Sequence, residues 1–166
     1  HNHRSNRDGN FLLPEGVRVL TDWLRPEGYS TANIKTLTKD ADLAKFFKGT
    51  GKTDWNFTYK SPVDPKLKPF DTDDWDDLKE NQPFYAQINF SETHRGGAWN
   101  NAHQEIPKAD LADPAKVEIP PYYPDHPVTR GVWAQYLNTV MAVDRKVAFI
   151  RELLVRDGLD KNTIVI

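Results

Sequence analysis

From Trp133 onward the apolar positions recur in alternating steps of three and four: Trp133, Tyr136, Val140, Val143, Val147, Ile150 and Leu154. That rhythm is one continuous face of a helix, and it predicts a helix from Val128 to Asp157 with Gly158 ending it. A shorter run, Val17, Leu20 and Leu24, lies between Pro14 and Gly28 and predicts a helix over 15–25. Elsewhere the pattern is that of strands. "PFYAQINF" (83–90) is the clearest, "YSTANI" (29–34) is short and rich in strand formers, and "NTIVI" (162–166) reads as a buried strand. A helix precedes a strand twice, which points to an α/β fold with a largely parallel sheet.

Two stretches, 35–82 and 91–127, carry little periodicity. Short helices are expected at 39–46 and at 73–79, where Asp residues suit the positive end of a helix. Irregular connections this long are commonly functional. Twelve prolines and five tryptophans fit packed loops that build a binding surface. The length, 166 residues, suffices for one domain with a core. The first residues, "HNHRSNRDGN", hold no Met, and the last lie within a predicted strand, as expected of an internal piece of a longer protein.

Charge and cysteine content remove several classes. Lys and Arg number 22 against 24 Asp and Glu, so there is no basic excess for nucleic acid or an anionic membrane. No apolar run approaches the roughly 18 residues of a membrane-spanning helix. With no cysteine, a thiolate nucleophile, a disulfide and a Cys-ligated metal are all excluded within these residues.

The candidate chemistry follows the strands. "QINFSETHRG" (87–96) runs from a strand into Glu92, Thr93, His94 and Arg95. In open α/β sheets ligands bind beyond the carboxyl ends of strands. His94 suits that place, and equally suits an exposed turn. "GTGKTDWNF" (49–57) invites a phosphate-loop reading, but the position five before Gly51 is Phe46 rather than glycine. Lys52 is left as an anion ligand or a surface lysine. "DTDDWDD" (71–77) lacks EF-hand spacing and reads as a solvated acidic helix start. No H-E-x-x-H pattern occurs.

Taken in order, "LPEGVRVLTDWLRPEGYSTANI", "GKTDWNF", "PFYAQINFSETHR" and "VEIPPYYPDHPVTRGVWAQYLNTVMAVDRKVAFIRELLVRDGLDKNTIVI" resemble the central part of a sulfatase. The likeness is to the bacterial branch similar to heparan N-sulfatase and related arylsulfatases, and it covers nearly the whole chain. It implies an alkaline-phosphatase-like core, a mixed and mostly parallel sheet flanked by helices. It also implies hydrolysis of a sulfate ester or sulfamate on a sulfated small molecule or glycan, with calcium and a formylglycine nucleophile, in the periplasm or outside the cell. On this likeness His94 and Lys52 are catalytic, facing the sulfate, with Lys35 the rival to Lys52. Arg95 and His3 are further substrate-binding positions. The C/S-x-P-x-R nucleophile motif and the F-x-[SG]-D-[HN]-G metal motif do not occur. The resemblance therefore implies metal ligands outside this chain and an inactive isolated piece. Asp54 and Trp55 stand where the family has a histidine, and Gly96 stands in place of its proline. The alternatives are a phosphomonoesterase or phosphonate hydrolase of the same superfamily, marked by a different upstream nucleophile, and a non-catalytic sugar-binding protein using Trp55, Trp75 and Trp99.

Overall fold

A computed structural model describes residues 11–53, 55 and 57–166. The chain forms two compact units, one ending at Asn89 and the other starting at Phe90. The first contains helix α1 (Leu20–Leu24), strands β1 (Ser30–Thr36) and β2 (Thr72–Asp74), helix α2 (Trp75–Lys79) and strand β3 (Phe84–Ile88). The strands make one sheet in the order β2-β1-β3, and both pairings are parallel. β1 and β3 run in unbroken register from Ser30 opposite Phe84 to Ile34 opposite Ile88. Being central, β1 is buried continuously over Thr31, Ala32, Asn33 and Ile34, as a parallel strand covered on both faces should be.

Helix α2 packs on β1. It starts where Asp74, in extended conformation, accepts a hydrogen bond from the Asp76 amide at 2.8 Å. It buries Trp75 and Leu78, with Trp75 edge-on to Phe84 at 6.3 Å. α1 begins later than the apolar spacing predicts. Pro14 to Val17 close a turn instead (Val17 amide to the Pro14 carbonyl, 3.0 Å), and Val17 and Leu20 face solvent. The expected helix at 39–46 is a single 3-10 turn, Leu43–Lys45.

The second unit contains α3 (Gly97–Asn101) and the long helix α4 (Pro127–Arg156). At its start Pro127 needs no amide partner, and the His126 ring nitrogen Nδ1 accepts from the Val128 amide at 3.2 Å. At its end Gly158 adopts φ +70, and the Gly158 and Leu159 amides bond back to the Val155 and Leu154 carbonyls. The buried face meets the predicted stripe at Leu154 and differs from it elsewhere along the helix. Ala134, Asn138, Ala142 and Lys146 are buried at four-residue steps, whereas Tyr136, Val140 and Val147 are exposed. Ala142 forms a small core with Ala102 and Ile106, against which Leu111 and Met141 pack. The small alanines admit the 102–112 segment close to the helix, which the larger stripe residues would not.

The expected strand at 162–166 does not form. A 3-10 turn, Asp160–Asn162, precedes it, and Ile164, Val165 and Ile166 are exposed. A strand is held by its neighbour's ladder, and none of β1, β2 and β3 pairs with this segment.

The approach to β2 hangs on Asp71. One carboxylate oxygen accepts from the Thr31 amide at 2.8 Å and its hydroxyl at 2.6 Å; the other accepts from Arg25 Nε at 3.0 Å. Burial alone would raise this carboxyl, but the bonds from Thr31 and Arg25 outweigh it and hold it below the usual range. Asp71→Asn should cost on the order of 1 kcal/mol near neutral pH, because the carboxylate is partly exposed and screened. Because the folded-state value is depressed, that contribution is fully present above the ordinary carboxylate range and is lost as pH falls from there through the lower folded-state value. Urea unfolding of both proteins at about pH 7 and about pH 3 checks this: the gap should narrow at the lower pH.

Candidate active site

In the first unit, residues 49–52 lie across the carboxyl ends of β1 and β3. The Gly49 amide donates to the Lys35 carbonyl at 3.0 Å, and the Thr50 amide to the Asn89 carbonyl at 2.8 Å. Any Cβ at position 49 would stand 2.1 Å from the Ile34 carbonyl oxygen, so only glycine fits so close to β1. Two asparagines then secure the backbone. Asn33 Nδ2 donates to the Gly51 carbonyl at 2.6 Å, and Asn89 Nδ2 to the Lys52 carbonyl at 2.9 Å and to Asn33 Oδ1 at 3.1 Å. Gly51 has φ +65, and a side chain there would strike the Lys35 stem. The structure thus brings Lys52 and Lys35 to the same strand ends. The Lys52 side chain is exposed. Lys35 pairs with Asp73 at 2.9 Å. The sequence reading found both lysines but missed the asparagines that fix the loop. Their signal was an amide at the end of each of two predicted strands.

Two of the tryptophans weighed for sugar binding are engaged otherwise. Trp75 is buried against Phe84, so its ring cannot stack on a sugar. Trp55 stacks with Phe57 at 5.0 Å and Phe70 at 6.0 Å, while the neighbouring Tyr59 hydroxyl donates to buried Asp22.

In the second unit, His94 sits on a tight turn. Its amide donates to the Ser91 carbonyl at 3.0 Å, and its carbonyl accepts from the Gly96 amide at 2.7 Å. The imidazole is exposed. A Cβ at position 96 would come within 3.2 Å of its Cδ2, so glycine leaves the ring unhindered. The Arg95 guanidinium lies over the Trp99 ring, 5.9 Å from its centroid.

Beneath this turn lies a cluster that sequence reasoning missed. Lys146 is 2% exposed, and its ammonium donates to Glu92 Oε1 at 2.5 Å and lies 3.3 Å from Glu105 Oε2 and 5.5 Å from the Phe90 ring centroid. Glu92 is buried too, and its Oε2 has no hydrogen-bond partner among the described residues. Burial raises the Glu105 carboxyl above its usual range; the Lys146 charge opposes this and the Glu92 charge adds to it. Glu92 therefore points inward to α4, two positions before His94 points out. Lysine on a helix is normally read as solvent-facing. Its one signal was its four-residue spacing from Ala142 and Asn138.

The acidic run 71–77 is committed to cationic and capping partners. Asp73 holds Lys35, Asp76 holds Lys39 and Lys79, Asp74 caps α2, and Asp77 accepts from Thr72. Among the described residues no three His, Asp or Glu side chains are grouped to hold a metal ion, so these residues do not fit one. His3 lies outside the described residues.

Lys146→Met would strand the buried Glu92 carboxylate and the half-buried Glu105 one, and should cost about 3–5 kcal/mol. Adding Glu92→Gln should recover part of that loss, giving a coupling above about 0.5 kcal/mol in a denaturant double-mutant cycle. Glu105→Gln reads the raised carboxyl. A group raised on folding contributes stability below its ordinary value and loses it as pH rises through the folded one. Stability of Glu105→Gln relative to the unaltered protein should therefore improve between about pH 4 and about pH 7, as followed by urea unfolding.

The family model for Sulfatase matches residues 1–166. An ulvan-active sulfatase of Formosa agariphila is 28% identical over 184 residues, covering 92% of this chain and 28% of that protein. The chain therefore spans little more than a quarter of the relative's length. No solved structure matches it significantly. A parallel α/β core with loops at its strand ends agrees with that family model, and the chain belongs to the sulfatase family.

Proposed function

We propose that the protein is a sulfuric ester or sulfamate hydrolase acting on a sulfated glycan, with this chain as the central part of its catalytic domain. The observation that carries the reading is the family match over all 166 residues. The activity of the Formosa agariphila relative on ulvan supports a sulfated polysaccharide as the substrate class. Nothing observed favours the phosphomonoesterase alternative. Action on a polysaccharide is best served in the periplasm or outside the cell.

In this proposal Lys52 presents a fixed positive charge to the sulfate oxygens, where charge is carried through the transition state. Its backbone is tied to Asn89, so the amine swings from a defined origin. His94 gives a proton to the leaving oxygen or nitrogen, the general-acid role its exposed imidazole suits. Arg95 meets the substrate beside it, and Lys35 and His3 are lesser contacts. Calcium and a formylglycine nucleophile belong to the proposal as family features. The described residues form no set for the metal, and no step is assigned to either.

With the full-length protein and a sulfated oligosaccharide, His94→Ala should lower kcat about 10²–10⁴-fold, the usual worth of general acid catalysis. Lys52→Ala should lower kcat/KM by a comparable factor while the fold, followed by circular dichroism, is kept. Turnover within threefold of the unaltered protein for both variants would remove these residues from the chemistry.

A further inference from the structure

Five aromatic rings in the second unit stand in a continuous series that ends beside His94. Arg95 covers Trp99; Trp99 stacks on Tyr136 at 6.1 Å; Tyr136 meets Trp133 at 5.3 Å; Trp133 meets Tyr123 at 5.9 Å; Tyr123 meets Tyr122 at 5.1 Å. The far end is open to solvent, with Tyr122 77% and Tyr123 49% exposed. Adjacent exposed rings form a contiguous apolar surface, the kind that marks a binding site. Beside the series lie two shallow clefts. One, of about 650 Å³, is lined by Lys116, Glu118, Ile119, Tyr123 and Arg130. The other, of about 510 Å³, shares Lys116 and Glu118 and reaches Trp133 and Leu137.

The loop that presents Tyr122 and Tyr123 is held firmly. Arg130 on α4 donates to the Val117 carbonyl at 3.1 Å and makes a two-point pair with Asp125. The rings therefore keep their places without a ligand. Their chemistry is specific in kind. Tyr and Trp combine an apolar face with a polar edge, which matches a pyranose ring with its apolar C–H face and hydroxyl rim. Glu118 and the tyrosine hydroxyls can bond sugar hydroxyls. Arg95 and Lys116 supply cations for sulfate groups, Arg95 in the planar form suited to an oxyanion.

We propose that this series is a binding track for a glycan chain, engaging the sugar units that flank the one whose sulfate faces His94. It rests on the sulfatase reading above and adds to it that the substrate is a polymer gripped at several units.

The test uses the full-length protein. Affinity electrophoresis through gels containing ulvan or heparin compares it with the double variant Tyr122→Ala, Tyr123→Ala and with Trp133→Phe. The exposed tyrosines can be removed with the fold intact, which a melting curve confirms. The track predicts retardation of the unaltered protein by at least one polymer and about tenfold weaker retention of the double variant, the scale of losing an aromatic stack. It also predicts that the ratio of kcat/KM on the polymer to that on 4-nitrophenyl sulfate falls by about the same factor, through KM. No retention by either polymer, or equal retention by the variant, overturns the track. An equal fall on both substrates also overturns it, since the rings would then support the fold and not the glycan. Retention that is lost in the variant, with neither substrate hydrolysed by the unaltered protein, would leave the track standing and sink the hydrolase reading.

Discussion

Lys146 carries its charge into a place that water does not reach, and the second unit is arranged around that fact. An ammonium taken out of water costs several kcal/mol unless opposite charge and hydrogen bonds meet it. Here Glu92 comes from the loop after β3, and Glu105 from a 3-10 turn between α3 and α4. One cation thus gathers three segments far apart in sequence. Burial is the largest influence on Glu105 and raises its carboxyl against the pull of Lys146 and Arg145, with a smaller push from the Glu92 charge. The arrangement contributes less to net stability than its short distances suggest. What it does contribute is a unique seat for the loop: Glu92 can satisfy its charge only in this position, and His94 follows two residues later on the same turn.

The first unit meets a related demand with neutral groups. Backbone carbonyls beyond a strand end have lost their ladder and must find other donors. Asn33 and Asn89 provide them at Gly51 and Lys52. A neutral amide pair secures the loop without adding charge at the strand ends. Lys35 shows the contrast: its amine is already matched by Asp73.

Local patterns were the most legible part of the sequence. β1, β3, α2 and α4 lie close to where spacing and strand formers put them, because each is decided within a few residues by periodicity and a cap. The face that α4 buries was not legible. The stripe is covered at its end, at Leu154, but towards the middle of the helix the covered side chains are small or polar, and become favourable only through partners such as the Ala112 amide on Asn138. The "NTIVI" strand failed for a similar reason: its apolar side chains satisfy the pattern, but a strand also needs a neighbour. At the candidate site, ordered motifs exposed His94 and Lys52. Glu92, Lys146, Asn33 and Asn89 stayed hidden because their roles depend on contacts across 18 to 56 positions of sequence.

The aromatic residues show why composition alone could not assign a role. Five tryptophans suggested a binding surface, yet Trp75 is core and Trp55 lies within a stacked cluster. The series near Arg95 differs in being built outward from a charged turn. That difference bears on selectivity. As proposed, the charged side chains would recognise the sulfate group itself, equally in an ester, in a free sulfate ion or in an unrelated anion. Such contacts also weaken as salt rises. Discrimination among sulfated molecules must then come from uncharged surface that the sulfate does not touch, and stacking on rings held in place by Arg130 is little affected by salt. A site whose charges fix the reacting group and whose aromatic rings identify what carries it divides the two tasks between groups that can change independently.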